Sequence, residues 1–131
     1  MSKENEDFEM RVAKSLRELN LPKKHIDFLR AYLSNVSELS YVDRIILFGS
    51  CAKGTANDRS DIDLFVVTKT GLDDDSEEMY RLFYQSTENI PLSDYVCCDI
   101  LTASASDFEL KATPLIRIVL REGVVLNGLL R

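Results

Sequence analysis

Asp61 and Asp63 are the residues whose type and spacing point most directly to chemistry. They open an apolar run, Ile62 to Val67, that reads as a strand from Asp61 to about Thr68. On a strand, residues two apart leave the same face, so the two carboxylates lie side by side. Ile62, Leu64 and Val66 leave the opposite face, toward a core. Like charges at that distance repel, and one pKa rises unless a cation sits between them. Mg²⁺ meets that need, because it takes one or two carboxylates together with the phosphate oxygens of a substrate. Upstream, Ile45 to Phe48 is a second buried strand, ended by Gly49-Ser50. Glycine lets the backbone come close to a ligand. Ser50 can cap the next helix, whose start suits a phosphate. Together these stretches describe a phosphate-cradling turn and a metal-holding pair, joined through a metal-bound nucleotide.

Other readings of these residues fare less well. Gly49 and Gly54 stand at Walker A spacing, but Thr55 follows where the phosphate-reaching lysine should be, which rejects a P-loop. Asp73, Asp74, Asp75, Glu77 and Glu78 lack the spacing and internal glycine of an EF-hand. They read instead as a helix start, with Asp75 as cap and Glu78 completing a capping box. Cys51, Cys97 and Cys98 form no C-x-x-C, and His25 is the sole histidine, so the ligand count for zinc fails. Cys51 reads as a small packing residue, and Cys97 and Cys98 as reduced strand residues. His25 reads as a half-exposed helix residue.

Gly49-Ser50, ten residues, then Asp61-Ile62-Asp63 is a G-S-x10-D-x-D pattern. It resembles the signature of the DNA polymerase β-like nucleotidyltransferase superfamily. The flanking LFGS and SDIDLFVV look like its minimal nucleotidyltransferase branch, often paired with HEPN-domain toxins. The resemblance implies a polymerase β-like palm fold from about Ile45 to Leu126. It implies transfer of a nucleoside monophosphate, usually AMP from ATP, to a hydroxyl, with Mg²⁺ and release of pyrophosphate. It also implies a third carboxylate on a later strand, a role that falls on Asp99, which would join Asp61 and Asp63 at the metal and act as base. Gly49 and Ser50 would hold the β- and γ-phosphates. Lys53 either touches the triphosphate or is simply solvated. The acceptor would be a protein hydroxyl, most simply a tyrosine of a cognate HEPN-type partner neutralised by this chain as antitoxin. The alternatives are a small hydroxylated molecule such as an aminoglycoside, or an antitoxin that acts by binding alone.

The elements that must position these residues follow from periodicity. Residues 4 to 19 suggest a helix with Phe8, Val12, Leu16 and Leu19 on one stripe. Pro22 starts a second helix carrying Ile26, Leu29, Leu33 and Val36, which makes an N-terminal helical segment of about 4–36. Ser50 to Lys53 is a short helix stopped by Gly54, and Thr55 to Ser60 is a polar loop whose Arg59 faces a phosphate, Asp58 or Asp61. Met79, Leu82 and Phe83 continue the acidic helix start to about Ser86. Tyr95 to Thr102 reads as a third strand, with Cys97, Asp99 and Leu101 on one face. Asp99 then either faces Asp61 and Asp63 or pairs with an arginine at the sheet edge. Asp107 to Ala112 is a short helical stretch. Thr113 caps a last helix with Pro114 in its first turn, Gly123 stops it, and Val124 to Leu126 is a short final strand. The fold class is therefore α/β (α+β), a small mixed sheet flanked by helices, in one domain of 131 residues.

The formal net charge is −6, from 16 basic and 22 acidic side chains. A nucleic-acid binder would show a basic stripe, and none is present, which argues against a polymerase role. No apolar run nears membrane-spanning length, and MSKENEDFE is no secretory signal, so a cytoplasmic location is expected. Homo- or hetero-oligomers are both compatible with the sequence.

Overall fold

The computed structural model describes residues 10–129. The elements run in order as β1 (Arg11–Val12), α1 (Lys23–Val36), β2 (Val42–Phe48), α2 (Ser50–Lys53), β3 (Ile62–Thr68), α3 (Glu77–Phe83), β4 (Cys98–Ser104), α4 (Ala105–Glu109), α5 (Pro114–Glu122) and β5 (Val124–Val125). Short 3₁₀ turns cover Leu16–Leu19, Gln85–Thr87, Leu92–Asp94 and Asn127–Leu129. One mixed sheet has the strand order β1-β5-β2-β3-β4. β2 is antiparallel to both β3 and β5, whereas β3 runs parallel to β4 and β1 parallel to β5.

Helices cover both faces of this sheet. On one face, Ile45, Leu47, Ile62, Leu64, Val66 and Ile100 pack with Phe28, Leu29, Tyr32 and Leu33 of α1 and with Met79 and Leu82 of α3. On the other, Ile46, Phe65 and Val67 pack with Phe108 of α4 and with Ile116, Val119 and Leu120 of α5. A central strand covered twice needs a continuous apolar run, which is what β2 and β3 supply. Asp63 interrupts that run near the start of β3, on the same face as Phe65.

Helix ends follow local chemistry. The Thr113 side chain accepts from the Ile116 amide with Pro114 in the first turn, as the sequence predicts, and Gly123 ends α5. Thr113→Ala is expected to lower stability by about 1 kcal/mol, read as a lower urea midpoint at constant slope. At α3 the cap is Ser76, which accepts from the Met79 amide, and not Asp75.

The N-terminal helix expected over 4–19 does not form across its described part. Arg11–Val12 is a strand, with Val12 exposed, and Leu16–Leu19 is a single 3₁₀ turn. Phe8 and the rest of residues 1–9 lie outside the described residues. The helix-like stripe was a coincidence of spacing: Val12 pairs with Val125, while Leu16 and Leu19 seal the α1 side of the core. The third strand starts later than its apolar run suggests and spans Cys98–Ser104, because Tyr95 leaves the strand path to meet Phe28 edge-on at 5.6 Å.

Candidate active site

β2 and β3 pair so that Phe48 stands opposite Asp63, and β3 and β4 pair so that Asp63 stands beside Asp99. Paired residues share a face, so this register puts Asp63 and Asp99 side by side on adjacent strands. Asp61 precedes β3 by one residue and so is delivered by the end of the 55–60 loop, not by the strand. Asp61 and Asp99 are exposed, and Asp63 is half-buried. The pKa of Asp63 is raised, first by burial, then by the charges of Asp99 and of Asp61. The charges of Asp99 and Asp61 therefore both act on Asp63. No ion pair satisfies Asp99 among the described residues, so the alternative of an arginine partner is not realised.

Gly49 closes the site from β2. Its φ of 75° and ψ of −155° lie where side chains other than hydrogen are essentially excluded. A Cβ there would also run into Oδ2 of Asp63. The glycine thus serves two needs at once: it turns the chain from β2 into α2, and it leaves the space that Asp63 occupies. Gly49, not Ser50, holds the cap position, and Ser50 is the first residue of α2. Its amide and that of Cys51 belong to a helix start, which has no intrahelical acceptors for them. Lys53, by contrast, pairs with Glu122 of α5 at 3.3 Å in a mostly exposed ion pair. Such a pair is weak enough to be exchanged for a phosphate. Arg59 makes no ion pair with Asp58 or Asp61; its amide bonds to Oδ1 of Asn57 at 2.8 Å.

Two thiols lie beside this arrangement, Cys51 buried and Cys98 half-buried. Cys51, fully buried, bonds through Sγ to the Asp61 carbonyl at 3.4 Å. Burial, then the charges of Asp63 and Asp61, push its thiol up to about 11. Cys98 on β4 is pushed up to about 12, by burial and then by Asp99 and Asp63. Neither is an activated nucleophile, which agrees with Cys51 as a packing residue and Cys98 as a reduced strand residue; Cys97, expected on the strand as well, is exposed and lies just before β4.

His25 differs from its expected half-exposed place. It is fully buried on α1, with Nε2 2.7 Å from the carbonyl oxygen of Ser60. That oxygen can only accept, so Nε2 carries the hydrogen. Nδ1 is buried without a hydrogen-bond partner. His25 therefore anchors the last residue of the loop that delivers Asp61. A stripe of His25, Phe28, Tyr32 and Val36, three or four apart, marks this buried face, one position away from the stripe through Ile26. His25→Phe keeps the bulk and removes the donor, and is expected to cost about 1–3 kcal/mol in urea unfolding.

Whether the carboxylates fit a divalent metal can be judged from their chemistry. Among the described residues no three His, Cys, Asp or Glu side chains form a ready-made metal cluster. Two or three hard oxygen donors with an unrelieved mutual repulsion do fit Mg²⁺ that arrives with phosphate ligands of its own. A family profile described as the nucleotidyltransferase domain matches residues 29–126. The chain belongs to the nucleotidyltransferase domain family. No curated protein matches the chain. The match takes in β2 through β5, so every candidate residue from Gly49 to Asp99 lies within the nucleotidyltransferase domain, as does the mixed sheet that carries them. Transfer of a nucleotidyl group is the activity of that family, and a nucleoside triphosphate and a divalent metal are its general requirements. No helix among the described residues of this nucleotidyltransferase is long and apolar enough to cross a membrane.

Proposed function

We propose that this nucleotidyltransferase moves AMP from ATP to a protein hydroxyl, as the neutralising partner of a HEPN-type toxin in the cytoplasm. The observation that carries the reading is the register that sets Asp63 beside Asp99, with Asp61 near enough to raise the Asp63 pKa and Gly49 against Asp63. In this reading Asp61 and Asp63 hold Mg²⁺, joined by Asp99. The metal, when bound, neutralises charge on the phosphate oxygens of the nucleotide. The Ser50 and Cys51 amides, made accessible by Gly49, hold the terminal phosphates, and Lys53 adds a positive charge once it leaves Glu122.

Asp99 takes the proton of the acceptor hydroxyl, since it is exposed and free of an ion pair. The acceptor oxygen bonds to the α-phosphorus. The bond from that phosphorus to the bridging oxygen breaks, and pyrophosphate leaves with the bridging oxygen and its electron pair. Positioning and charge stabilisation supply the acceleration, because phosphoryl chemistry needs little covalent help from the protein.

The described residues form one sheet with its covering helices, and β4, which carries Asp99, is the outermost strand of that sheet, where an acceptor can approach. The test is incubation with α-labelled ATP and Mg²⁺, alone and with the protein encoded next door, followed by mass spectrometry. One AMP added to the partner, and none with Asp61→Asn/Asp63→Asn, is the expected result. Neutralisation of the partner that survives the double substitution would instead make this chain an antitoxin by binding alone. Transfer to an aminoglycoside in place of the partner would make the acceptor a small molecule.

A further inference from the structure

β4 is an edge strand, and it is the strand that carries Asp99. Its inner side pairs with β3 over all seven residues, Cys98 to Ser104. Beyond that ladder, Ile100, Leu101 and Thr102 make no backbone hydrogen bond to another element among the described residues. Natural edges are usually blunted by lysine, proline, a bulge or a covering segment. The β4 sequence, CDILTAS, has neither lysine nor proline, and its pairing with β3 shows no register shift.

Alongside this edge runs a groove of about 590 Å³, between Ile100–Thr102 and α3. Its far wall holds Tyr80 and Tyr84, whose rings lie 5.4 Å apart and which are 53% and 65% exposed. Leu101, also exposed, stands on the edge itself. Asp74 and Asp75 close one part of the groove with negative charge. The site thus offers unpaired backbone, apolar rings and an acidic rim in one place.

We infer that the groove is the docking site for an extended peptide segment of the acceptor protein, which pairs with the free edge of β4 as a sixth strand. The occupant is specified by three features. An open ladder recognises main chain, which a peptide has and a sugar or polyamine lacks. The two tyrosines offer large apolar surface to every second side chain of an added strand. The acidic rim calls for flanking lysine or arginine. Alternation then supplies the link to chemistry. Ile100 and Thr102 face the α1–α3 side of the sheet, while Asp99 and Leu101 face the side of Asp63. In an added strand, one set of side chains rests on Tyr80 and Tyr84, and the intervening set lies on the carboxylate face. A tyrosine, serine or threonine in register with Asp99 would sit one strand spacing from it, about 4.8 Å away, with its hydroxyl turned toward the reacting groups. The inference rests on the proposed protein acceptor and names how that acceptor is recognised.

The probe is a fluorescein-labelled peptide, Lys-Lys-Val-Tyr-Val-Lys-Lys, whose binding to the whole chain is read by anisotropy without nucleotide. Two further peptides carry N-methyl groups on the odd or on the even amides. In strand pairing, only alternate amides of the peptide face β4. One methylated peptide should therefore bind at least about tenfold more weakly, and the other within about twofold of the parent. Tyr80→Ala/Tyr84→Ala and Asp74→Lys/Asp75→Lys, all at exposed positions, should each weaken binding by about tenfold, and the second should also flatten its salt dependence. Equal effects of the two methylation patterns, or no binding at about 1 mM peptide, would overturn strand pairing. So would displacement of the peptide by neomycin without any methylation asymmetry, which would assign the groove to a polyamine. Asp63→Asn should retain peptide binding while losing transfer, so docking is judged separately from catalysis. Asymmetric binding with no AMP placed on the peptide tyrosine by the wild-type chain, under conditions where the partner protein is labelled, would leave the groove a peptide site but overturn its role in presenting the hydroxyl.

Discussion

Asp63→Asn is expected to lower nucleotidyl transfer by at least about a thousandfold while leaving the fold intact. A bound metal contributes several kcal/mol of charge stabilisation, and each roughly 1.4 kcal/mol is a factor of ten in rate. Asn keeps the shape of Asp63 and one oxygen, but not the charge that would hold the metal against phosphate. In the metal-free protein the sign reverses. Asp63 is half-buried and faces Asp99 and Asp61, and its raised pKa reports that the ionised form is disfavoured there. Removing that charge removes the repulsion, so the EDTA-treated variant should melt above the EDTA-treated wild type. Adding Mg²⁺ should then raise the melting temperature of the wild type more than that of the variant, because only ligand binding to the folded state shifts the equilibrium. A variant that loses activity and stability together, in EDTA as well, would make Asp63 a structural residue.

Gly49→Ala should do more general damage for one added methyl group. The backbone at φ 75° and ψ −155° costs a side-chain-bearing residue about 1–3 kcal/mol, and the new Cβ displaces the Asp63 carboxylate. Relief requires either a shift of the β2–α2 turn or a rotation of Asp63 away from Asp99. Either one spoils the geometry of the phosphate turn or of the carboxylate pair, so transfer should fall by on the order of a hundredfold. Gly54→Ala is the control. Its φ of 76° carries the strain of the left-handed region without the clash, since no atom lies within 4 Å of a Cβ built there. Activity in Gly54→Ala should therefore exceed that in Gly49→Ala at equal loss of urea midpoint. If the two variants lose activity in proportion to stability, the contact between Gly49 and Asp63 has no separate role.

The site was readable because its parts are local. Gly49-Ser50 and Asp61-Ile62-Asp63 fall within fifteen residues, and each lies at an end of a strand that apolar runs mark plainly. Asp99 could be named as a candidate, but its register could not be read, because strand pairing joins residues 36 positions apart in sequence, Asp63 to Asp99. The same limit hid the partner of His25: a helical stripe marks its burial, but its bond to the Ser60 carbonyl joins residues 35 positions apart. The start of the chain misled for a different reason. A two-residue strand such as Arg11–Val12 is too short to show alternation, and exists only because Val124–Val125 lies beside it. The capping error at α3 was a choice between neighbours, Asp75 and Ser76, both good caps.

The position of β5 has a consequence for how the chain assembles as it is made. β5 comes late in the sequence, yet it lies between β1 and β2, pairing Val124 with both Arg11 and Leu47. The strands bearing the carboxylates, β2, β3 and β4, can pair with one another before it exists. Until β5 arrives, β2 keeps an open edge at Ile46 and Leu47, and β1 has no neighbour in the sheet. A nascent chain should therefore pass through a partly built sheet, exposed on the side away from β4, that closes only after β5 leaves the ribosome. Ribosome-held chains ending before Val124 should be cleaved by protease within 10–40 and should gain protection there once Val125 is free.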